Sequence, residues 1–207
     1  MTPEQLSFDL LHPHPLLIVI SGTSGVGKDS VIKGLKRRNL PLHIVVTATT
    51  RAPRKEEAHG RDYFFYSRRE FEERIAKGEF IEHAQVYTDL KGIPRSQIED
   101  ALASGMDVVA RVDVQGAATL RGLYPQALMI FIIPGSFGEW YERLMRRNTE
   151  AGEDLKVRIE TARKEVAQIG MFDYIVVNAE NRLEKAVDDI ATIIAAEHMA
   201  VNHRRIL

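Results

Sequence analysis

The chain has 207 residues, 44% of them hydrophobic and 28% charged, with a formal net charge of −1. Those values suit about one globular domain of ~150 residues or slightly more, and they exclude a globally basic nucleic-acid binder. With no cysteine at all, disulfide scaffolds, thiolate metal sites and thiol catalysis are excluded as well.

Residues 1–15 read as a loose leader, because Pro3, Pro13 and Pro15 deny it ladder or helix hydrogen bonds. The segment lacks the basic start and apolar centre of a secretory signal. Leu16 to Ile20 is an unbroken apolar run, the pattern of a strand buried on both faces. A helix is expected from about Lys28 to Arg38 and a short strand over His43 to Val46. Residues 51–97 interrupt the alternation of strand and helix and read as a small inserted subdomain. Within it, Ser67 and Glu70 form a capping-box pattern for a helix to about Lys77, and Phe80 to Val86 reads as a strand.

Beyond the insertion the spacing predicts a helix over Ile98–Ala103, a strand over Asp107–Val112, a helix over Gly116–Leu123 and an apolar strand over Leu128–Ile133. Amphipathic helices follow over Ser136–Arg147 and Leu155–Ile169, joined by a polar loop. A short strand at Tyr174–Val177 precedes a long last helix, capped by the Asn181 to Glu184 segment. Strands alternating with helices argue an α/β fold, a parallel sheet covered on both faces by helices. No apolar run approaches the ~18 residues of a membrane helix. The expectation is a cytoplasmic protein, monomer or homodimer, with no nucleic-acid or membrane partner. The basic tail His203 to Arg205 finds no role in the sequence.

The segment Gly22, Thr23, Ser24, Gly25, Val26, Gly27, Lys28, Asp29, Ser30 stands between the first buried strand and a helix. This is the order of a P-loop, in which glycines let successive N–H groups face an anion and the lysine reaches the β- and γ-phosphates. The pattern asks for a hydroxyl after the lysine, and this chain has Asp29 there. A carboxylate is a hard oxygen ligand, so Asp29 is read as a contact for Mg²⁺, with a favourable place at the helix start as the plain alternative. Thr47 to Arg54 sets Arg51 and Arg54 around a proline, and Gly60 to Phe65 and Glu79 to Ala84 follow. Arginine forks suit phosphate groups. Asp113 stands at the carboxyl end of a core strand, where functional carboxylates gather in α/β sheets. Arg111, in the same apolar strand, needs a carboxylate or phosphate partner.

Taken together, the P-loop, the TTRAPR segment, DYFF, EFIEHA, DVQG at Asp113–Gly116 and VN at Val177–Asn178 resemble the guanylate kinase family, from about Leu16 to His198. The resemblance implies a P-loop NTPase core (16–50 and 98–207), a GMP-binding insertion (about 51–97) and a helical lid (about 136–160). It also implies transfer of the γ-phosphoryl of ATP to GMP, and to dGMP, with Mg²⁺. Gly22 to Ser30 and Asn178 would bind ATP, with Lys28 on the transferring phosphates. Arg51, Arg54, Tyr63 and Lys91 would hold the GMP phosphate. Glu82 would accept from the guanine edge beside Thr47. Asp113 would belong to the GMP site and, with Asp29, would support Mg²⁺. Arg143, Arg147 and Arg158 would bring lid charge to the phosphoryl in transit. Two positions depart from the family pattern: Lys91 stands where many members have tyrosine, and Ile93 where a hydroxyl often helps read the base. The KGIP segment is similar to that of plastid-type members. Two rival readings are a ribose 1,5-bisphosphate phosphokinase, which shares the GKDS run, and a guanylate-kinase-like module that binds peptides without catalysis.

Overall fold

A computed structural model describes residues 14–86, 88–147, 153–202 and 204–206, without the side chains of 86, 147, 153 and 154. The expected leader lies largely outside these residues, as does most of the loop at 148–154.

Strand β1 (Leu17–Gly22) is the centre of a sheet whose other members are β2 (Leu42–Ile44), β7 (Asp107–Arg111), β8 (Leu128–Ile133) and β9 (Tyr174–Val177). The order is β2-β7-β1-β8-β9 and every pairing is parallel. Period-two alternation sends Leu16, Ile18 and Ile20 to one face and Leu17 and Val19 to the other. The first face packs on α1 (Lys28–Arg37) and α7 (Leu183–His198) through Val31, Leu35, Val187 and Ile190. The second packs on α3 (Ser96–Ala103) and α4 (Val114–Leu123) through Ile98, Leu102, Ala117 and Leu120. Both faces are dry, which is why β1 reads as an unbroken apolar run.

The insertion has a sheet of its own, ordered β4-β3-β6-β5. Its strands are β3 (Ala48–Thr49), β4 (Phe64–Phe65), β5 (Phe80–Val86) and β6 (Asp89–Pro94). Helix α2 (Arg68–Ala76) begins with the expected box: the Ser67 side chain accepts from the Glu70 N–H and Glu70 reaches back to Ser67. Ala48, Phe71, Phe80 and Leu90 form a separate small core, with the Phe71 and Phe80 rings stacked at 4.3 Å. The second sheet therefore starts at Ala48, before the boundary expected at 51. Strands β3 and β4 are two residues long, too short to show a period, and β6 is broken by Lys91 and Gly92, so none of the three was legible.

A third core joins α5 (Phe137–Arg147) to α6 (Glu153–Ala167), where Trp140 and Leu144, one turn apart, meet Ala162 and the half-buried Leu155 and Ile159. Helix α6 gives way to a 3₁₀ turn at Ile169–Met171. The last helix does not start as expected. Arg182 is its N-cap without a side-chain bond, and Asn181 sits at φ 56°. Glu184 instead pairs with Arg37 and Arg38 of α1, so the charge serves helix packing rather than capping.

The tail acquires a structural role. Arg204 Nε lies 2.8 Å from Glu197 Oε2, and its guanidinium is 3.3 Å from Asp173 Oδ2. Burial raises the Glu197 carboxyl, but Arg204 and the Tyr174 hydroxyl outweigh it and hold it below its ordinary value. A depressed carboxylate gives stability that is present above the unfolded value near 4.5 and lost as pH falls through the folded one. Arg204→Ala is expected to cost about 2–4 kcal/mol at pH 7, because it strands a buried carboxylate, and less at pH 3.5. Urea midpoints at the two pH values measure this; an unmoved midpoint at pH 7 refutes it.

Candidate active site

The carboxyl end of β1 turns into the glycine loop, and α1 begins at Lys28. Its N-cap is Gly27 at φ 93°, and no side chain caps the helix. The first N–H groups are left for an external anion, backed by the positive end of the helix dipole. Gly27 is needed twice: for its left-handed φ, and because a Cβ there would lie 2.6 Å from Asn178 Nδ2. That amide donates to the Val26 carbonyl at 2.8 Å, so Asn178 is a strut beneath the loop.

Helix α5 clasps the same loop from outside. The Trp140 indole donates to the Ser24 carbonyl at 2.9 Å, and Arg143 donates to the Asn178 carbonyl at 2.9 Å and to that of Val26 at 3.4 Å. Lys28 Nζ folds back on the carbonyls of Gly22 and Thr23 at 2.5 and 3.2 Å. Glu165 of α6 lies near it; burial raises that carboxyl and Lys28 pulls it down. Gly25, Gly27, Ser30, Arg143 and Asn178 line an open cleft of about 330 Å³.

A second cleft of about 250 Å³ opens between the two sheets. Lys28 enters from the loop, Arg111 and Asp113 from the end of β7, and Thr47, Tyr63, Glu82, Lys91 and Ile93 from the insertion. Glu82 is half-buried, not solvent-facing. Burial first, and Asp113 second, push its carboxyl from 4.5 up to about 7. Helix α4 passes directly over it at Gly116, where a Cβ would stand 2.6 Å from Glu82 Oε2. Asp113 caps that helix by accepting from the Gly116 N–H at 2.9 Å. Ile93, 2% exposed, pairs in register with Glu82.

Other expected residues stand elsewhere. The Arg51 guanidinium is held by both oxygens of Glu57 at 2.7 and 2.8 Å and lies over the Tyr63 and Phe65 rings at 5.1 and 5.6 Å. Arg51 and the Arg54 amide hold the Glu57 carboxyl down at about 2. Neither arginine lines the cleft; Arg51 stands beside Tyr63, held there by Glu57 and the aromatic rings, while the Arg54 side chain is exposed. Asp29 accepts a hydrogen bond from Arg111, which supplies the partner that Arg111 needed. Arg158 is half-buried on α6. Arg147 ends α5, and its side chain lies outside what the structure describes.

The guanylate kinase family model matches residues 14–197. The chain belongs to the guanylate kinase family. It is 47% identical over 195 residues to guanylate kinase 2, chloroplastic/mitochondrial, of Oryza sativa subsp. japonica, covering 94% of this chain and 68% of that protein. It is 42% identical to the guanylate kinase of Nitrosomonas europaea, covering 88% and 90% of the two chains. The crystal structure of guanylate kinase from Anaplasma phagocytophilum superposes with a TM-score of 0.71 at 31% identity, over 93% of this chain and 90% of that one.

For a guanylate kinase, two groups near the clefts escaped the sequence reading. Trp140 gave a signal, as the one tryptophan of the chain. Glu57 gave none, since a carboxylate in a charged loop is ordinary. Arg111 was legible as a cation in need of a partner, yet only the fold shows that Asp29 is that partner.

Proposed function

We propose that the chain transfers the γ-phosphoryl group of ATP to GMP, and to dGMP, giving ADP and the nucleoside diphosphate. The observation that carries this reading is Glu82, a desolvated carboxylate in the same cleft as the P-loop lysine. Guanine offers two adjacent donors, N1–H and the 2-amino group, and a carboxylate is their bidentate acceptor. A ribose bisphosphate has no base to occupy such a group, so this rival is not favoured.

The uncapped start of α1 and Lys28 would hold the β- and γ-phosphates, with Asn178 and Arg143 bracing the loop from below and outside. Thr47 would flank the base. Tyr63 and Lys91 would take the GMP phosphate, joined by Arg51 once it leaves Glu57, and by Arg54 on closure of the insertion. A GMP phosphate oxygen forms the new bond to the γ-phosphorus while the bond to the bridging oxygen of ADP breaks. The attacking GMP oxygen is already anionic, so no general base is needed, and alignment with charge compensation provides the catalysis. Arg143, Arg147 and Arg158 supply lid charge. Asp113, and Asp29 through the oxygen that Arg111 does not hold, would suit Mg²⁺, which binds through one or two carboxylates plus substrate phosphates. The metal would supply further neutralisation of the phosphate oxygens. The insertion and the lid each have a core of their own, which supports their moving as units over the substrates to exclude water. We assign the work to the cytoplasm.

A coupled assay of ADP release with ATP, Mg²⁺ and one of GMP, dGMP, AMP or ribose 1,5-bisphosphate tests the reading. Turnover is expected with GMP and dGMP. Turnover with the sugar phosphate alone, or with none of the four, overturns it.

A further inference from the structure

Arg111 is the last residue of β7, whose four preceding residues are all buried. The carboxyl end of a parallel strand is where an α/β sheet presents groups to a ligand. Here the strand ends in the cleft between the two sheets, which the P-loop lysine also lines. One nitrogen of the guanidinium donates to Asp29 Oδ1 in the first turn of α1. The same side chain lines the cleft with Lys28, Tyr63, Lys91 and Asp113. Among the described residues, Asp29 is its one hydrogen-bond partner. A guanidinium has five N–H donors, so most of them are unspent, in a cleft built for phosphate groups.

Stability does not account for this pair. The Asp29 side chain is 59% exposed, and an ion pair with one end so open to water adds little to folding. The guanidinium end is the more enclosed, 31% exposed, and that burial penalises its charge. A cation placed at a cost on a core strand, and joined to the phosphate loop, fits a ligand better than a fold. Asp29 makes the need sharper. A carboxylate where the P-loop pattern has a neutral hydroxyl repels the incoming triphosphate unless a positive group offsets it.

We propose that Arg111 is a further catalytic residue, one that contacts the phosphate groups where the two clefts meet, and that Asp29 is its positioning residue. This rests on the phosphotransferase reading above. The guanidinium fork bonds Asp29 of α1 and lines the cleft that Tyr63 and Lys91 also line, so it would stand between donor and acceptor phosphates. Asp29 fixes the plane of that fork, and Arg111 in turn cancels the charge that Asp29 adds to the loop.

The experiment compares wild type with Arg111→Met, Arg111→Lys, Asp29→Ser and the double variant Arg111→Met/Asp29→Ser. It reads kcat and KM for each nucleotide, the Kd of ATP without metal by calorimetry, and the thermal midpoint. Arg111→Met is expected to lose on the order of 10³-fold in kcat, at the modest end of what a transition-state arginine supplies. Its metal-free ATP Kd should weaken by about 10-fold, because Asp29 then faces the phosphates uncompensated. Adding Asp29→Ser should bring that Kd back to within about 3-fold of wild type while kcat stays low. Arg111→Lys keeps the charge without the fork, and should hold the Kd while losing part of kcat. A folded Arg111→Met with kcat and metal-free Kd both within twofold of wild type overturns the proposal, and Arg111→Lys gives the same reading should Arg111→Met fail to fold. A double variant that does not recover affinity removes Asp29 as the partner. A wild type that binds ATP but never phosphorylates GMP defeats the functional reading instead; the metal-free Kd still judges the pair.

Discussion

Glu82→Gln is expected to cut the preference for GMP over AMP by about 100-fold or more in kcat/KM, since each charge-assisted hydrogen bond contributes about 1.5–3 kcal/mol. An ionised carboxylate accepts both guanine donors. A glutamine amide offers one acceptor and one donor, so one guanine N–H meets another N–H. The same amide matches the donor and acceptor of adenine, so AMP should improve as GMP declines. Because burial and Asp113 raise the Glu82 carboxyl to about 7, wild-type KM for GMP should climb as pH falls through that value, when one oxygen becomes a donor. The glutamine variant should lack that dependence.

The same shift has a stability consequence of definite sign. A carboxyl raised from 4.5 to about 7 favours the protonated fold. Its stability contribution is present below 4.5 and lost as pH rises through 7. At pH 8 the ionised group costs roughly 2 kcal/mol, taking a partial discount for residual solvent at the cleft mouth. Glu82→Gln should therefore melt higher than wild type at pH 8 and level with it at pH 4. Unchanged selectivity between GMP and AMP would remove Glu82 from base recognition, whatever the melting curves show.

Lys28→Met is expected to lower kcat on the order of 10³-fold, the scale set by removing a charge aimed at the transferring phosphoryl group. Methionine nearly matches the stem in volume, and the ammonium lies against the carbonyls of Gly22 and Thr23. The thermal midpoint should therefore move little. Kinetics with saturating GMP and varied ATP, beside a melting curve, separate lost chemistry from lost folding. A folded Lys28→Met variant within tenfold of wild type would mean that the loop's N–H groups and the arginines compensate the phosphates unaided.

Lys28, Glu82 and the arginine pair mark the limit of what the order of residues tells. Lys28 was legible because its neighbours in sequence are its neighbours in space: strand, glycine turn and helix follow without a break. Glu82 was placed on a strand, but nothing local says that α4 lies across it at Gly116, and that approach makes it a desolvated acid. Arg51 and Arg54 were legible as a pair, but nothing local says that Glu57 ties the Arg51 guanidinium and the Arg54 amide, or that two aromatic rings underlie Arg51.

The sequence by itself determined the parallel α/β core, the P-loop and the family, because these rest on short-range order: apolar runs, glycine spacing and motifs a few residues long. Only the tertiary structure decided that Asp29 meets Arg111 across 82 positions of chain, that Arg204 locks Glu197, and that Glu82 titrates near neutrality. Such properties depend on which groups are brought together and how much water is left between them. Charge and desolvation act through space, and the order of residues along a chain carries no record of that distance until the chain has folded.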